Sequence, residues 1–280
     1  MNHLEAALSW LTLGFVGVLC GLVFARRAYR VVPFFAAYSC MLLANSVVVS
    51  LVYRIFGFNS LPSYYFYWIL LLLNAAMRSL AIAELCRYKL REYRGIWELG
   101  WRVLAGFAVL FLLHAAWDTG GQPNRLAMYS LTLDRDLDIA SVAILAALLL
   151  IHNYYGLSLE PVQRKIAAGI CFVCAVDVVG DTIVQSLFTG YLFPFFATDK
   201  TPLRAAVIPF YNRINDLWST VHLFSFMAAV GIWCYALRKP IPARAETPEL
   251  LPAEVYRELS PAINMRLATF NDRLVELLKP

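Results

Sequence analysis

Charged side chains are scarce in this chain. Asp, Glu, Lys and Arg make up 15% of its 280 residues, whereas hydrophobic residues make up 60%. A soluble domain carries roughly 25% charged and roughly 45–50% apolar residues. The apolar residues also stand in long continuous runs that do not alternate with polar ones. The composition therefore argues against a soluble domain or a β-barrel and favours an all-α, polytopic integral membrane protein.

The chain also lacks the motifs of familiar enzymes. It has no Walker A, G-x-S-x-G or H-E-x-x-H motif. Its last apolar run, 216–237, has neither a lysine for a retinal Schiff base nor the H-x-x-x-H of seven-helix zinc hydrolases. Two carboxylates with His114 and His222 would suit zinc or iron, and the two histidines alone would suit haem, but no two histidines share a helix at ligand spacing. We therefore expect no metal and no cofactor, and nothing positive indicates an enzyme.

Seven apolar runs are long enough to cross about 30 Å of hydrocarbon. They are 7–25, 33–57, 64–86, 101–117, 138–157, 166–189 and 216–237. We expect residues 1–239 to form one seven-helix bundle, 240–259 a proline-rich linker and 260–280 a short amphipathic helix.

Positive residues follow the odd-numbered runs. They are Arg26, Arg27, Arg30, Arg87, Lys89, Arg91, Arg94, Arg164, Lys165, Arg238 and Lys239. We expect the chain to lie in a bacterial inner membrane. The positive-inside rule then places its N-terminus outside and its C-terminus in the cytoplasm. Only the loop after the sixth run departs from this pattern, with Lys200, Arg204 and Arg213 facing outward. We attribute the net charge of +5 to orientation and expect no nucleic-acid partner.

Two aspartates interrupt the sixth run. Asp177 and Asp181 are four residues apart, so they share one helix face, which Gln185 extends. A carboxylate facing lipid costs at least ~2.5–3.5 kcal/mol, so this face should point into the bundle. Because two nearby carboxylates repel in a low dielectric, we expect one to be protonated or to lie beside a cation.

Arg78 in the third run is the best cation for this face. Counting from the loops puts it at the depth of Asp177, with Asn74 one turn away. We predict an Arg78–Asp177 pair that leaves Asp181 near Asn45 or His222. These six residues (Asp177, Asp181, Arg78, Asn74, Gln185 and His222) form a candidate ligand or proton site. The alternative is a salt bridge that only holds the helices in register.

Two segments outside the runs bear on partners. The loop between the sixth and seventh runs is aromatic and proline-rich, and we expect an interfacial loop or a lid over the bundle. In the tail, Ser260 and Pro261 predict a helix start. An apolar stripe follows at alternating spacings of four and three: Ile263, Leu267, Phe270, Leu274 and Leu277. It predicts a face for a homodimer mate, for a cytoplasmic partner or for the bundle itself.

Two inner-loop segments carry a resemblance to known proteins. "FARRAYRVVPFFAAY" and "IAELCRYKLREYRGIW" resemble an uncharacterised group of seven-helix membrane proteins of acidobacterial type. The resemblance covers the first three or four runs and implies no activity. In architecture alone the chain is similar to the seven-helix sensor modules of bacterial signalling proteins, but it carries no kinase or cyclase domain.

Three functions stay open at this point. The first is a sensor-like or partner-regulating module with a polar site inside the bundle and a communicating tail helix. The second is a proton- or ion-coupled small-molecule transporter that uses Asp177 and Asp181. The third is a structural subunit of a membrane complex whose charges only set the helix register.

Overall fold

The structure, a computed structural model, is helical throughout the part of the chain that it describes. It describes residues 3–57, 60–90, 94–120, 125–155, 160–187, 201–238, 273 and 276. Seven α-helices lie in these ranges, confirming the all-α prediction. They are α1 (His3–Ala25), α2 (Pro33–Phe56), α3 (Leu61–Leu90), α4 (Arg94–Asp118), α5 (Arg125–Tyr155), α6 (Pro161–Leu187) and α7 (Thr201–Leu237), with a 3₁₀ turn at Ala28–Arg30.

Five of these helices are long and apolar enough to cross a membrane. Their apolar segments are Pro33–Phe56, Leu61–Tyr88, Trp97–Asp118, Pro161–Ile183 and Asp216–Leu237. The apolar part of α1, Trp10–Ala25, is shorter. In α5 the apolar segment is interrupted by the acidic stretch "DRDLD", residues 134–138. The described helices therefore have the length and composition of a multi-pass membrane protein.

The helices pack in neighbouring pairs that form a closed series, α1–α2–α3–α5–α6–α7 and back to α1. The closest associations are α2 with α3, α6 with α7 and α5 with α6, and α1 lies against α7 and α2. α4 lies at the edge of the bundle and packs mainly on α5. The core is centred on the fully buried Trp233, whose ring meets Phe35 edge-on at 5.5 Å and Tyr38 at 6.2 Å. Its indole N–H donates to the Ile166 carbonyl of α6 at 3.2 Å.

The start of α2 is stabilised by a side chain from α3. Pro33 occupies the first helical turn, where its missing N–H costs nothing. The next two N–H groups, of Phe34 and Phe35, donate to Glu84 Oε2 at 3.0 and 3.1 Å. Glu84 thereby satisfies donors that have no partner within the helix, and it fixes the position of α2 on α3.

Two sequence-based boundaries need correction. We predicted a loop up to residue 137 and a fifth span over 138–157, but α5 begins at Arg125 and includes the acidic stretch. We also predicted a long loop before the seventh span, but residues from Thr201 onward are already helical in α7. The linker 240–259 and the stripe of the tail helix (Ile263, Leu267, Phe270, Leu274 and Leu277) lie outside the described residues.

Candidate functional site

The buried side chain of Arg78, on the inner face of α3, contacts two carboxylates. Its side chain is 7% exposed, and its Nη2 lies 2.6 Å from Asp134 Oδ1 and 2.5 Å from Asp138 Oδ1. The Asp138 side chain is fully buried and that of Asp134 is 17% exposed. One guanidinium nitrogen from α3 therefore serves two carboxylates from α5.

Helical spacing explains how α5 supplies both carboxylates. Asp134 and Asp138 are four residues apart and share one face, whereas Asp136 lies between them on another. Asp136 contacts α4 instead, where His114 Nδ1 lies 2.6 Å from its Oδ2. His114, which we considered as a metal ligand, is thus half-exposed and paired on the α4 side of α5.

A second pair joins α6 to α7. Asp177 Oδ1 lies 2.6 Å from His222 Nδ1, with the Asp177 side chain 10% exposed and that of His222 44% exposed. The His222 ring lies between Trp218, at 6.1 Å, and Phe226, at 6.4 Å and nearly parallel. These aromatic neighbours on α7 fix the ring plane, so that its Nδ1 faces α6.

The predicted Arg78–Asp177 pair is wrong. Arg78 contacts the two carboxylates of α5, and Asp177 contacts His222. The physical reason is the position of α5, which packs closely on both α3 and α6, whereas α3 and α6 barely touch each other. Asp177 still lies within electrostatic range of Asp134 and Asp138, so the two pairs belong to one charged region.

Asp181 lies one turn beyond Asp177 on the same face of α6. Its side chain is partly buried and interacts electrostatically with Asp177, Asp134 and His222. It makes no ion pair with any described residue, so it is the acid left open in the region. Gln185 continues this face by sequence, but its side chain lies outside the described part.

We call the four acids and two bases brought together here the polar cluster. Its members are Arg78, Asp134, Asp138, Asp177, Asp181 and His222. Tyr38 of α2 and Cys174 of α6, both buried, interact electrostatically with Arg78, Asp138 and Asp177 at its inner side. Four helices therefore supply the charges and α2 closes the cluster with a phenol.

Several buried polar atoms near the cluster make no hydrogen bond. They include Arg78 Nε and the side-chain oxygen of Asn74, and the side-chain oxygen of Asn45 on α2 is likewise without a partner. Asn74 precedes Arg78 by one turn of α3, so it lies on the same face of that helix. A buried polar group without a partner costs about 1–3 kcal/mol, so these atoms favour a polar ligand or water between the helices.

Sequence reasoning identified three cluster members besides Arg78 and missed two. It proposed Asp177, Asp181 and His222, but it placed Asp134 and Asp138 in a loop. The available signal was the i, i+4 spacing of two acids within "DRDLD", the same spacing that singled out Asp177 and Asp181. Among the described residues, no three His, Cys, Asp or Glu side chains come together in an arrangement that could hold a metal ion.

Comparison of the chain with protein-family models, with curated proteins and with solved structures gives no match. The geometry of the polar cluster is therefore the main evidence on function. The resemblance to seven-helix proteins of acidobacterial type stays a prediction.

Proposed function

We propose that the protein is a multi-pass membrane carrier that couples the movement of a small molecule to a proton or cation bound at the polar cluster. In this proposal all seven helices cross a bacterial inner membrane, with the N-terminus outside and the C-terminus in the cytoplasm. Two observations support this arrangement: five helices are long and apolar enough to cross a membrane, and positive residues follow the odd-numbered apolar runs of the sequence.

The observation that carries the proposal is the charge balance of the cluster. Its four carboxylates meet one permanent cation, Arg78, and one base that titrates near neutral pH, His222. Even with a protonated histidine, acids outnumber cations by two. In a low dielectric such an excess is costly, so the cluster must take up protons or a cation.

Exposure within the cluster separates a fixed part from an exchangeable part. Arg78 and Asp138 are almost wholly buried and form an ion pair, so we assign this pair a permanent structural role. Asp181 and His222 are only partly buried and flank Asp177. We assign proton or cation exchange to these three residues, with the carboxylates as acceptors and the His222 ring as a second proton site.

Thermal unfolding of the detergent-purified full chain tests the site. Raising the pH from about 5 to about 8 removes protons from an acid-rich cluster, so wild-type stability should fall over this range. Asp181→Asn removes one negative charge and should flatten that fall while the protein stays folded. Asp216→Asn, which neutralises an exposed acid of α7 outside the cluster, is the matched control and should keep the wild-type slope. An unchanged slope in Asp181→Asn would remove Asp181 from the site.

Transport is tested separately in proteoliposomes that contain a pH-sensitive dye. Tetramethylammonium and choline, both permanently charged organic cations, serve as probes, each added as an inward-directed gradient. We expect one of them to change the internal pH in wild type and in Asp216→Asn but not in Asp177→Asn. No response to any probe, together with an intact pH-dependent melting curve, would refute coupled cation transport and leave only the binding site.

A sensor-like module is the second candidate. The tail stripe that includes Ile263 and Leu277 favours it, because a carrier has no evident need for a cytoplasmic docking helix. In this version the cluster binds its proton or ligand without transport, and residues 260–280 pass the change to a partner. The distinguishing result is a pH-dependent association with a co-purifying partner that deletion of residues 255–280 abolishes.

A further inference from the structure

A long apolar groove lies on the side of the bundle where α4 meets α3 and α5. It has a volume of about 560 Å³ and is formed by α3, α4 and α5. Its lining is apolar apart from Trp101, Tyr129 and two serines, Ser79 and Ser141. The serine hydroxyls donate to the carbonyls of Ala75 and Leu137 in their own helices, so they leave no free donor in the groove, which suits an apolar occupant.

A second cavity, lined in part by tyrosines and an arginine, adjoins one end of this groove. It has a volume of about 700 Å³ and lies where α3 and α5 begin and α4 ends. Tyr64, Tyr65 and Tyr129 line it together with Arg125, and Tyr129 also lines the groove. Arg125 is exposed and makes no ion pair with any acid in the described ranges. The cavity thus offers one uncompensated positive charge beside phenol hydroxyls.

The length of the groove is comparable to the thickness of one leaflet of a bilayer. Between Trp101 and Leu112, the groove residues of α4 span eleven helical steps, or roughly 16 Å. This is about half of the ~30 Å hydrocarbon thickness. Tyrosines favour the headgroup level of a membrane, so Tyr64, Tyr65 and Tyr129 place the cavity at the interface and the groove below it.

We propose that this surface binds one anionic phospholipid, with its phosphate at Arg125 and an acyl chain in the groove. The headgroup phosphate accepts hydrogen bonds from the guanidinium and from the tyrosine hydroxyls. The acyl chain covers apolar faces of α3 and α4 that do not pack closely on each other. The proposal uses no residue of the polar cluster and is independent of the proposed transport.

Native mass spectrometry of the delipidated full chain in detergent tests this site. Phosphatidylglycerol and phosphatidylcholine with identical chains are titrated separately, and the bound lipids and the number of protein copies are read from the same spectra. Arg125→Gln removes the headgroup contact, and Arg102→Gln, on an exposed arginine of α4 outside both cavities, is its control. Ala108→Phe fills the groove, and Leu113→Phe on the exposed side of α4 is its control.

The proposal predicts that the wild type binds phosphatidylglycerol more tightly than phosphatidylcholine by about fivefold. Arg125→Gln should abolish this preference, and Ala108→Phe should weaken binding of both lipids, while both controls behave as wild type. Equal binding of the two lipids to the wild type, or a preference that survives Arg125→Gln, would overturn the proposal. So would a protein dimer that Ala108→Phe converts to monomer without changing lipid binding, because a second copy would then occupy the groove. Circular dichroism of each variant confirms that the helices are retained.

Discussion

Arg78 holds two carboxylates with one nitrogen, and this arrangement makes its removal unusually costly. A buried acid that loses its cation keeps its desolvation cost and has no compensating attraction. In Arg78→Gln both Asp134 and Asp138 lose their partner at once. We expect a loss of about 3–5 kcal/mol in the free energy of unfolding, in the range measured when one partner of a buried pair is removed.

The companion variant separates charge from packing. Adding Asp138→Asn to Arg78→Gln removes one of the two stranded charges, so the double variant should melt above Arg78→Gln. The measurement is thermal unfolding in one detergent at one pH, with Arg102→Gln as the control for loss of an exposed arginine. If the double variant melts no higher than Arg78→Gln, the contribution of Arg78 is its packing and not its charge.

The sequence predicted burial of a cluster residue only where it also predicted the helix that carries that residue. Asp177 and Arg78 lie in continuous apolar runs, so their burial followed from the cost of charge in hydrocarbon. Asp134 and Asp138 lie in a stretch with four charges in five residues, which resembles a solvated loop. The buried charge of Asp134 is compensated by Arg78, which lies 56 residues away in the sequence. A local pattern does not reveal such a distant compensation.

At the scale of elements, the contact between α6 and α7 depends on glycine. Gly169 lies so close to the Trp233 indole that an added Cβ would clash with the ring, and Trp233 is fully buried. Gly169→Ala should therefore destabilise the protein by about 1–3 kcal/mol, since the ring or the helix must move.

Gly106 of α4 is the matched control for this substitution. No atom lies within 4 Å of the position that its Cβ would take. Gly106→Ala should be neutral or stabilise the helix by about 0.5–1 kcal/mol, because alanine loses less backbone entropy. Thermal melting of the two variants side by side gives the comparison, and equal effects would refute close packing at Gly169.

Glu84 connects two elements by completing the first turn of α2. Glu84→Ala leaves the N–H groups of Phe34 and Phe35 without acceptors, at a cost of about 1–3 kcal/mol. Glu84→Gln keeps one side-chain oxygen and should lose less. Hydrogen exchange at the two amides measures the effect directly. Unchanged exchange at both amides in Glu84→Ala would show that Glu84 does not cap the helix.

At the scale of the molecule, the polar cluster explains how α5 packs into the helix bundle despite its acids. Three of the seven helices, α3, α5 and α6, bring Arg78 and four carboxylates to one level, and α7 adds His222. Each charge is tolerable only while the others are present. A protein assembled without α5 would therefore leave Arg78 without its partners Asp134 and Asp138.

The decisive question at this scale is whether α1 and α5 cross the membrane along with the five long apolar helices. The two arrangements predict different sides for the connections that flank α5. If α5 crosses, a reporter inserted after Gly120 and one inserted at residue 158 lie on opposite sides. If α5 does not cross, both lie on the same side. The same logic applies to α1 with reporters at the N-terminus and after Arg27.

We expect all seven helices to cross, because burial of Asp134 and Asp138 against Arg78 removes the cost that otherwise keeps α5 out of hydrocarbon. Alkaline phosphatase should then be active at the N-terminus and after Gly120, and a fluorescent protein should fluoresce at residue 158 and after Arg238. The Arg78→Gln variant adds a direct check on the reason. If Arg78 is what admits α5, its loss should make the side of residue 158 mixed, whereas Arg102→Gln should leave it unchanged. Phosphatase activity at residue 158 in the wild type would contradict the seven-span arrangement and, with it, the placement of the polar cluster inside the membrane.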